Sequence, residues 1–180
     1  MHEGNGIAVF GSSEPVPGEP LYEQARRLGR LLAEAGFRVV SGGYGGVMEA
    51  ASRGAREAGG ATLGVTCAIF NRRRPNEHLG EVIETADLFA RTRGLVEHSG
   101  GFVILPGKAG TLAELAFLWA LHRAGCLTGR PVLLLGAQWK SLLNHLSDER
   151  ILDSTQLETS RVVETPREAV EALKRHPGVR

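Results

Sequence analysis

Residues 101–114 read Gly-Phe-Val-Ile-Leu-Pro-Gly-Lys-Ala-Gly-Thr-Leu-Ala-Glu, and this stretch decides the fold of the chain. The apolar run at 102–105 has the length and β-branched content of a buried strand, and Pro106-Gly107 ends it. Apolar residues from Leu112 onward recur at helical spacing, which predicts a helix over residues 111–124. Backbone N–H groups and the dipole at the start of such a helix favour an anion. The stretch therefore predicts a strand, a tight turn and a helix start that can hold a phosphate.

Strands and helices alternate along the rest of the chain. Apolar runs of strand length occur at residues 7–10, 37–40, 62–67 and 132–135, with a weaker run at 162–163. Helical patterns cover residues 21–35, 47–58, 91–98 and 139–146, and a last helix follows Pro166. Nearly continuous apolar strands separated by helices are typical of a parallel sheet covered on both faces. The sequence predicts an α/β fold, a doubly wound parallel sheet with helices on both faces, as a single domain over residues 1–180.

Composition and charge argue against two classes of partner. Lys and Arg total 21 against 20 Asp and Glu, and the net charge of +1 gives no general attraction for a nucleic-acid backbone. The basic run Arg72-Arg73-Arg74 has the neighbours of a loop, and we interpret it as a solvated turn. No apolar stretch approaches the roughly 18 residues that span a bilayer. Neither nucleic acid nor a membrane is expected as a partner.

The cysteines and histidines predict neither a disulfide framework nor a metal site. Cys67 and Cys126 form no CxxC pair and have apolar neighbours, which predicts buried free thiols in a reducing compartment. The N-terminus shows no basic segment followed by a hydrophobic one, so a cytoplasmic location is expected. Paired metal-ligand spacing is missing among His78, His98, His122 and His145.

Three glycine or serine turns, at residues 11–13, 41–46 and 106–110, follow predicted strands and should meet at one edge of the sheet. The turn at 41–46 does not fit the dinucleotide pattern GxGxxG, and the turn at 106–110 lacks a glycine and the Ser/Thr of a Walker A loop. What remains are backbone amides suited to one phosphate and a small organic group. A tight strand-to-helix connection explains either turn alone, but two neighbouring turns favour a ligand.

Glu114 has two interpretations at this stage. Thr111 and Glu114 have the spacing of a capping box, in which the threonine binds the N3 amide and the glutamate returns to the cap amide. On the pattern alone, this structural role is the favoured one. The alternative is a working carboxylate beside a phosphate site. Arg91 alone would be a surface helix residue, and Ser13 a turn residue.

Residues 106–114, PGKAGTLAE, resemble the PGGxGTxxE signature of the LOG (Lonely Guy) family. This family comprises the cytokinin riboside 5′-monophosphate phosphoribohydrolases, many of whose members have been labelled lysine decarboxylase. Other blocks are similar in order and spacing, namely residues 8–13, Tyr22, Leu28-Gly29, residues 41–49 and Gly59-Gly60. The resemblance extends over residues 7–136. The decarboxylase label has no support, because no Schiff-base lysine site can be argued from the sequence.

The resemblance implies a Rossmann-like, nucleotide-binding homodimer or higher homo-oligomer. The implied hydrolase cleaves the N-glycosidic bond of a nucleoside 5′-monophosphate, AMP or cytokinin-type, to free base and ribose 5-phosphate, without a metal or redox cofactor. The family's catalytic arginine and glutamate fall on Arg91 and Glu114. Its phosphate-binding positions fall on Gly43, Gly45, Gly46, Gly107, Gly110 and Thr111, with Ser13 near the ligand and Lys108 as an added candidate contact. A carboxylate suits this chemistry because ribosyl cleavage builds positive charge on the sugar.

The chain departs from the family pattern at three places. Lys108 replaces the second glycine of PGG, Thr92 stands where lysine commonly follows the arginine, and Gly100-Gly101 replaces a Ser-Asp-Ala neighbourhood. Residues 41–50 and the spacing from Arg91 to Leu95-Val96 also resemble the molybdenum-cofactor carrier proteins. Those proteins bind a phosphorylated pterin without turning it over, so a non-catalytic carrier is the alternative hypothesis.

Overall fold

A seven-stranded parallel sheet organises the protein. The computed structural model describes residues 5–70 and 74–179, so Arg72 and Arg73 of the predicted basic turn lie outside the described residues. The strands are β1 (Gly6–Phe10), β2 (Arg38–Ser41), β3 (Thr62–Cys67), β4 (Glu81–Thr85), β5 (Gly101–Ile104), β6 (Val132–Leu135) and β7 (Ser160–Val163). Their order across the sheet is β4-β3-β2-β1-β5-β6-β7.

Helices cover both faces of this sheet. They are α1 (Pro20–Glu34), α2 (Val47–Glu57), α3 (Leu88–Glu97), α4 (Ala109–Arg123), α5 (Gln138–Asp148), α6 (Ser154–Glu158) and α7 (Pro166–Arg175), with a 3₁₀ turn at Ala68–Phe70. One core packs α1, α2 and α7 on the sheet, and a second core packs α3, α4 and α5 on the opposite face. The prediction of a doubly wound α/β sheet is therefore confirmed.

The central strands β1 and β5 are apolar throughout because both of their faces are buried. In β1, Ile7 and Val9 point into the first core, while Ala8 and Phe10 point into the second. Each of these four side chains is buried, and the neighbouring strand β5 divides its residues in the same way. A strand with two buried faces needs no polar alternation.

The strand β4 and the start of α3 differ from the prediction. No strand was predicted between residues 68 and 100, whereas β4 pairs with β3 at the edge of the sheet and carries the charged residues Glu81 and Glu84. An edge strand is partly solvated, so its pattern is weak. Helix α3 begins at Leu88 instead of Arg91, because the carboxylate of Asp87 accepts a hydrogen bond from the amide of Ala90 at 2.8 Å and caps the helix.

The prediction for the cysteines is confirmed for one and wrong for the other. Both are free; Cys67 is buried at the end of β3, but Cys126 is exposed because it lies in the turn after α4. The short helix α6 was also not predicted. Within the described ranges, no helix is long and apolar enough to cross a membrane.

The order of the strands places a crevice beside β1. The chain moves outward from β1 through β2 to β4 on one side, and it continues from β5 to β7 on the other. The loops that follow β1 and β5 therefore lead to opposite faces of the sheet and leave a gap between them. In open α/β sheets, ligands bind at this switch point, beyond the carboxyl ends of the strands.

Candidate active site

A cavity of about 170 Å³ lies at this switch point. The loop after β1, the loop after β2, helix α3 and the start of α4 contribute its walls. Its lining residues are Phe10, Gly11, Ser12, Ser13, Glu14, Gly42, Tyr44, Met48, Phe70, Arg91, Lys108, Gly110, Thr111 and Glu114. The three predicted turns thus converge on one edge of the sheet.

Arg91 and Glu114 meet in the wall of the cavity. Arg91 comes from the first turn of α3 and Glu114 from α4, and the distance from Arg91 Nη1 to Glu114 Oε1 is 3.7 Å. Their side chains are only 11% and 17% exposed. We call these two residues the inner pair. The structure therefore brings together the two residues that the resemblance assigned to catalysis.

The guanidinium of Arg91 is held by backbone oxygens on two sides. Its Nε donates to the carbonyl of Val65 at 3.0 Å, and its Nη2 donates to the carbonyl of Gly42 at 3.3 Å. A Cβ at position 42 would collide with Arg91 Nη2, so glycine there leaves room for the guanidinium in this position. These contacts hold the guanidinium in place and leave Nη1 directed toward Glu114.

Tyr44 forms another wall against Arg91. The guanidinium carbon lies 5.8 Å from the centre of the Tyr44 ring, within the range of a cation–π contact. The Tyr44 hydroxyl donates to the carbonyl of Cys67 at 3.1 Å and accepts from the amide of Cys67 at 2.9 Å. The ring of Phe70 meets Tyr44 edge-on, with centroids 5.7 Å apart. The aromatic wall is therefore fixed by hydrogen bonds at its far end.

Burial makes the carboxyl of Glu114 a weaker acid than usual. Loss of hydration raises the pKa of its carboxyl to about 7, and the positive charge of Arg91 opposes that shift by a smaller amount. The carboxyl therefore changes charge near neutral pH. A group with a pKa close to the working pH is suited to general acid–base chemistry.

The capping-box interpretation of Thr111 and Glu114 is wrong. Helix α4 begins at Ala109, two residues earlier than predicted, and Lys108 occupies the N-cap position without a side-chain cap hydrogen bond among the described residues. Thr111 is consequently the third residue of the helix, and Glu114 lies in its second turn. Ala109 and Gly110 form the first two residues of the helix, shortly after the Pro106-Gly107 turn. The carboxylate faces the cavity instead of the helix end.

The predicted phosphate-binding residues divide into two groups. Ser13, Lys108, Gly110 and Thr111 line the cavity beside the inner pair. Gly43, Gly45, Gly46 and Gly107 lie in the turns behind it and are not among the residues that line it. The phosphate-binding roles of both groups remain predictions.

The glycines behind the cavity let the turns pack closely on the loop after β1. At Gly107, a Cβ would collide with the Thr111 side chain and lie 2.9 Å from the amide nitrogen of Ser12. The Ser12 amide donates to the carbonyl of Pro106 at 3.0 Å, and the Ser12 carbonyl accepts from Val47 at 2.9 Å. Ser12 thus accepts from the first amide of α2, while the start of α4 offers first-turn amides to an anion.

Sequence reasoning missed several residues of the site. Glu14, Met48 and Phe70 line the cavity, but none was singled out. Glu14 and Lys108 form an ion pair, with 2.6 Å between Nζ and Oε1, at the rim of the cavity. We call these two residues the rim pair. They lie 94 positions apart, and no local sequence signal links them.

An apolar groove of about 830 Å³ continues from the cavity. It shares Phe70, Arg91, Gly110 and Glu114 with the cavity, and its other lining residues are Leu88, Phe89, Thr92, Arg93, Val96, Glu97, Ala113, Phe117, Leu121, Cys126 and Arg130. Phe89 is 86% exposed, and Leu88 and Phe117 are also exposed. The inner pair thus stands between a small cavity of mixed polarity and a large apolar groove.

The sheet and its crevice define a Rossmann-like α/β protein with a small-ligand site at the switch point. The chain belongs to the SLOG cluster4 family, whose model matches residues 5–169. The predicted kinship with the phosphoribohydrolases is thereby confirmed at the level of the family.

Named relatives and a solved structure are similar to this chain over most of its length. The cytokinin riboside 5′-monophosphate phosphoribohydrolase of Mycobacterium tuberculosis is 30% identical over 174 residues, which cover 92% of this chain and 91% of the relative. A protein of the same name from Arabidopsis thaliana is 34% identical over 131 residues, covering 72% of this chain and 57% of the relative. The molybdenum cofactor binding protein of Rippkaea orientalis has a TM-score of 0.75 and 26% identity, with 94% of each chain covered.

Proposed function

We propose that the protein is a nucleoside 5′-monophosphate phosphoribohydrolase that releases a free base and ribose 5-phosphate. The observation that carries this proposal is the buried Arg91–Glu114 pair beside the N-terminus of α4, with 3.7 Å between Nη1 and Oε1. Relatives over most of the chain bear the name of that activity, and none of those reported above is named a decarboxylase.

The phosphate of the substrate would bind at the start of α4. The first-turn amides there have no acceptor within the helix, and Gly110 and Thr111 line the cavity. The ribose would then lie toward the inner pair, and the base would enter the apolar groove. The groove's apolar lining suits the flat face of a base and an apolar substituent of the cytokinin type.

Glu114 would act on the sugar and on water. Hydrolysis adds the oxygen of water to C1′ of the ribose, while the electron pair of the C1′–N bond leaves with the base, which takes up a proton. The ionised carboxylate stabilises the positive charge that develops at C1′ and accepts a proton from the attacking water. Arg91 favours the ionised form of Glu114, because its positive charge lowers the pKa that burial raises.

Release of free base is the direct test of this function. Pure protein is incubated with AMP and with other purine and pyrimidine monophosphates, including a cytokinin riboside monophosphate, and the products are separated by chromatography. Stoichiometric base and ribose 5-phosphate are expected from at least one of them. Absence of base from every monophosphate would contradict the proposal.

A second candidate is a carrier that binds a phosphorylated pterin without turnover. The similarity to the molybdenum cofactor binding protein of Rippkaea orientalis favours it, as do the departures from the LOG pattern at Lys108 and Thr92. Fluorescent pterin that copurifies with the protein, together with no release of base, would support this alternative.

We also propose that the protein acts as a homodimer whose interface covers the apolar groove. The exposed residues Leu88, Phe89 and Phe117 line one groove, and such contiguous apolar patches are uncommon on a monomer. Helix α4 also carries apolar residues around most of its circumference. A second copy over the groove would complete the base side of the site. Two free cysteines fit a cytoplasmic location, which is part of the same proposal.

Sedimentation of a charged variant tests the dimer. The change Phe89→Asp should convert the dimer to a monomer, because a charged side chain would lose its hydration at the interface in place of an apolar contact. The matched control is Ile151→Asp, which replaces another exposed apolar residue outside the groove and should leave the mass unchanged. A wild-type protein that sediments as a monomer would contradict the proposal.

A further inference from the structure

The rim pair joins two elements of the cavity wall. Glu14 belongs to the loop after β1, and Lys108 is the N-cap residue of α4, so the contact lies beside the place where the phosphate is proposed to bind. The side chains of Lys108 and Glu14 are 72% and 63% exposed. An exposed ion pair of this kind adds little to stability. Breaking it to bind a ligand therefore costs little.

The cation of Lys108 has a stronger partner when a phosphate is present. A phosphate dianion at the start of α4 would lie beside the backbone of Lys108, and the flexible side chain can turn from the rim toward it. The ammonium then offsets one of the two negative charges of the bound phosphate. Glu14 is left at the mouth of the cavity as an unpaired negative charge, because its partner has moved inward.

We propose that the rim pair restricts the site to ligands that carry a single phosphate. Lys108 binds that phosphate, and Glu14 repels a second phosphate that would extend toward the mouth. This inference rests on the proposed function for the position of the phosphate. It assigns a specificity role to Glu14, which no motif marks, and gives a reason for lysine where the family signature has glycine.

Binding measurements separate this proposal from the proposed function. Calorimetric titrations with AMP, ADP and ribose 5-phosphate are made on protein that also carries Glu114→Gln, so that AMP is not consumed. Two close unit charges at a protein surface interact strongly enough to change an equilibrium by about tenfold. The preference for AMP over ADP should therefore fall about tenfold in Glu14→Gln, since ADP then binds more tightly.

Variants of Lys108 test the other half of the pair. Lys108→Met should weaken the binding of both AMP and ribose 5-phosphate by about tenfold, because the phosphate loses a cationic contact. The matched control is Glu164→Gln, since the Lys140–Glu164 pair has the same 2.6 Å distance and is exposed but does not line the cavity. This control should leave all three dissociation constants unchanged. Thermal melting checks that each variant is folded.

The outcomes distinguish the two claims. An AMP-to-ADP preference that is unchanged in Glu14→Gln overturns the inference, and so does unchanged AMP binding in Lys108→Met. If either result is found while the wild-type protein releases base from AMP, the proposed function stands without the inference. If the predicted changes in binding are found but no monophosphate is hydrolysed, the specificity of the rim pair stands and the hydrolase does not. Failure to bind any of the three ligands overturns the inference.

Discussion

The two ion pairs of the cavity differ in burial, and the more buried pair has the longer distance between its charged atoms. The rim pair is the closer one, with 2.6 Å between charged atoms, against 3.7 Å in the inner pair. Yet the rim pair is exposed to water and the inner pair is largely buried. Water weakens the attraction in the first case, whereas in the second the loss of hydration raises the pKa of Glu114 to about 7. Burial, and not the distance to the positive partner, is what raises the pKa of Glu114.

The largest effect is expected on catalysis, when the buried carboxylate of the inner pair is removed. Glu114→Gln should lower kcat by about 100- to 10,000-fold, because an amide cannot accept the proton of water. The variant should melt no lower than the wild type at pH 7, because a neutral amide replaces a buried carboxylate that is costly to ionise. The control Glu164→Gln removes an exposed carboxylate outside the cavity and should keep full activity. Unchanged turnover of AMP in Glu114→Gln would refute the catalytic role.

Removing the other member of the inner pair should act through Glu114. Arg91→Met deletes the positive charge that lowers the pKa of Glu114, so that pKa should rise further and the active range should move to higher pH. We expect at least a tenfold loss of kcat/KM at pH 7 and a pH–rate profile displaced upward. A profile with lower activity but an unmoved pH midpoint would show that Arg91 does not control the ionisation of Glu114.

The wild-type protein should show opposite pH trends in activity and stability. Activity should rise as pH increases through about 7, since the ionised carboxylate is the working form. The folded-state pKa lies above the ordinary value of 4.5, so the folded protein binds a proton more tightly than the unfolded chain between these two values. The free energy of unfolding should therefore decrease as pH rises from about 4.5 to about 7. Denaturant titrations across this range check the trend, and Glu114→Gln should remove it.

The smallest effect is expected from the rim pair. Glu14→Gln should change the free energy of unfolding by no more than about 1 kcal/mol, because an exposed ion pair gains little over hydration by water. Chemical denaturation at low and high salt measures this difference. A loss much above that limit would mean that Glu14 holds the loop after β1 in place, and the contrast with the inner pair would then rest on more than burial.

Much of the fold could be predicted because buried strands and amphipathic helices have strong periodic patterns. Strand β3 at Thr62–Cys67 and strand β6 at Val132–Leu135 were predicted with their observed bounds. The edge strand β4 was missed, since solvent on its outer side permits charged residues and leaves no continuous apolar run. Cys126 was expected to be buried, but the local sequence does not show that the turn after α4 reaches the surface.

The site was predictable only in part. The glycine turns indicated an anion site at the strand ends, but the choice between a cap and a working carboxylate depended on a shift of two residues in the start of α4. That shift is too small for sequence patterns to resolve. Glu14 and Phe70 gave no signal, because their importance arises from contacts with distant residues.

The sequence by itself determined the alternation of strands and helices, the glycine turns and the residue types available at the strand ends, since these depend on local preferences and periodicity. Only the tertiary structure decided that Arg91 and Glu114 share a buried wall, that Glu14 meets Lys108 at the rim, and that an apolar groove adjoins them. The physical reason is that hydration and charge–charge interactions depend on distances between residues far apart in the chain. Those distances are set by the packing of the whole sheet.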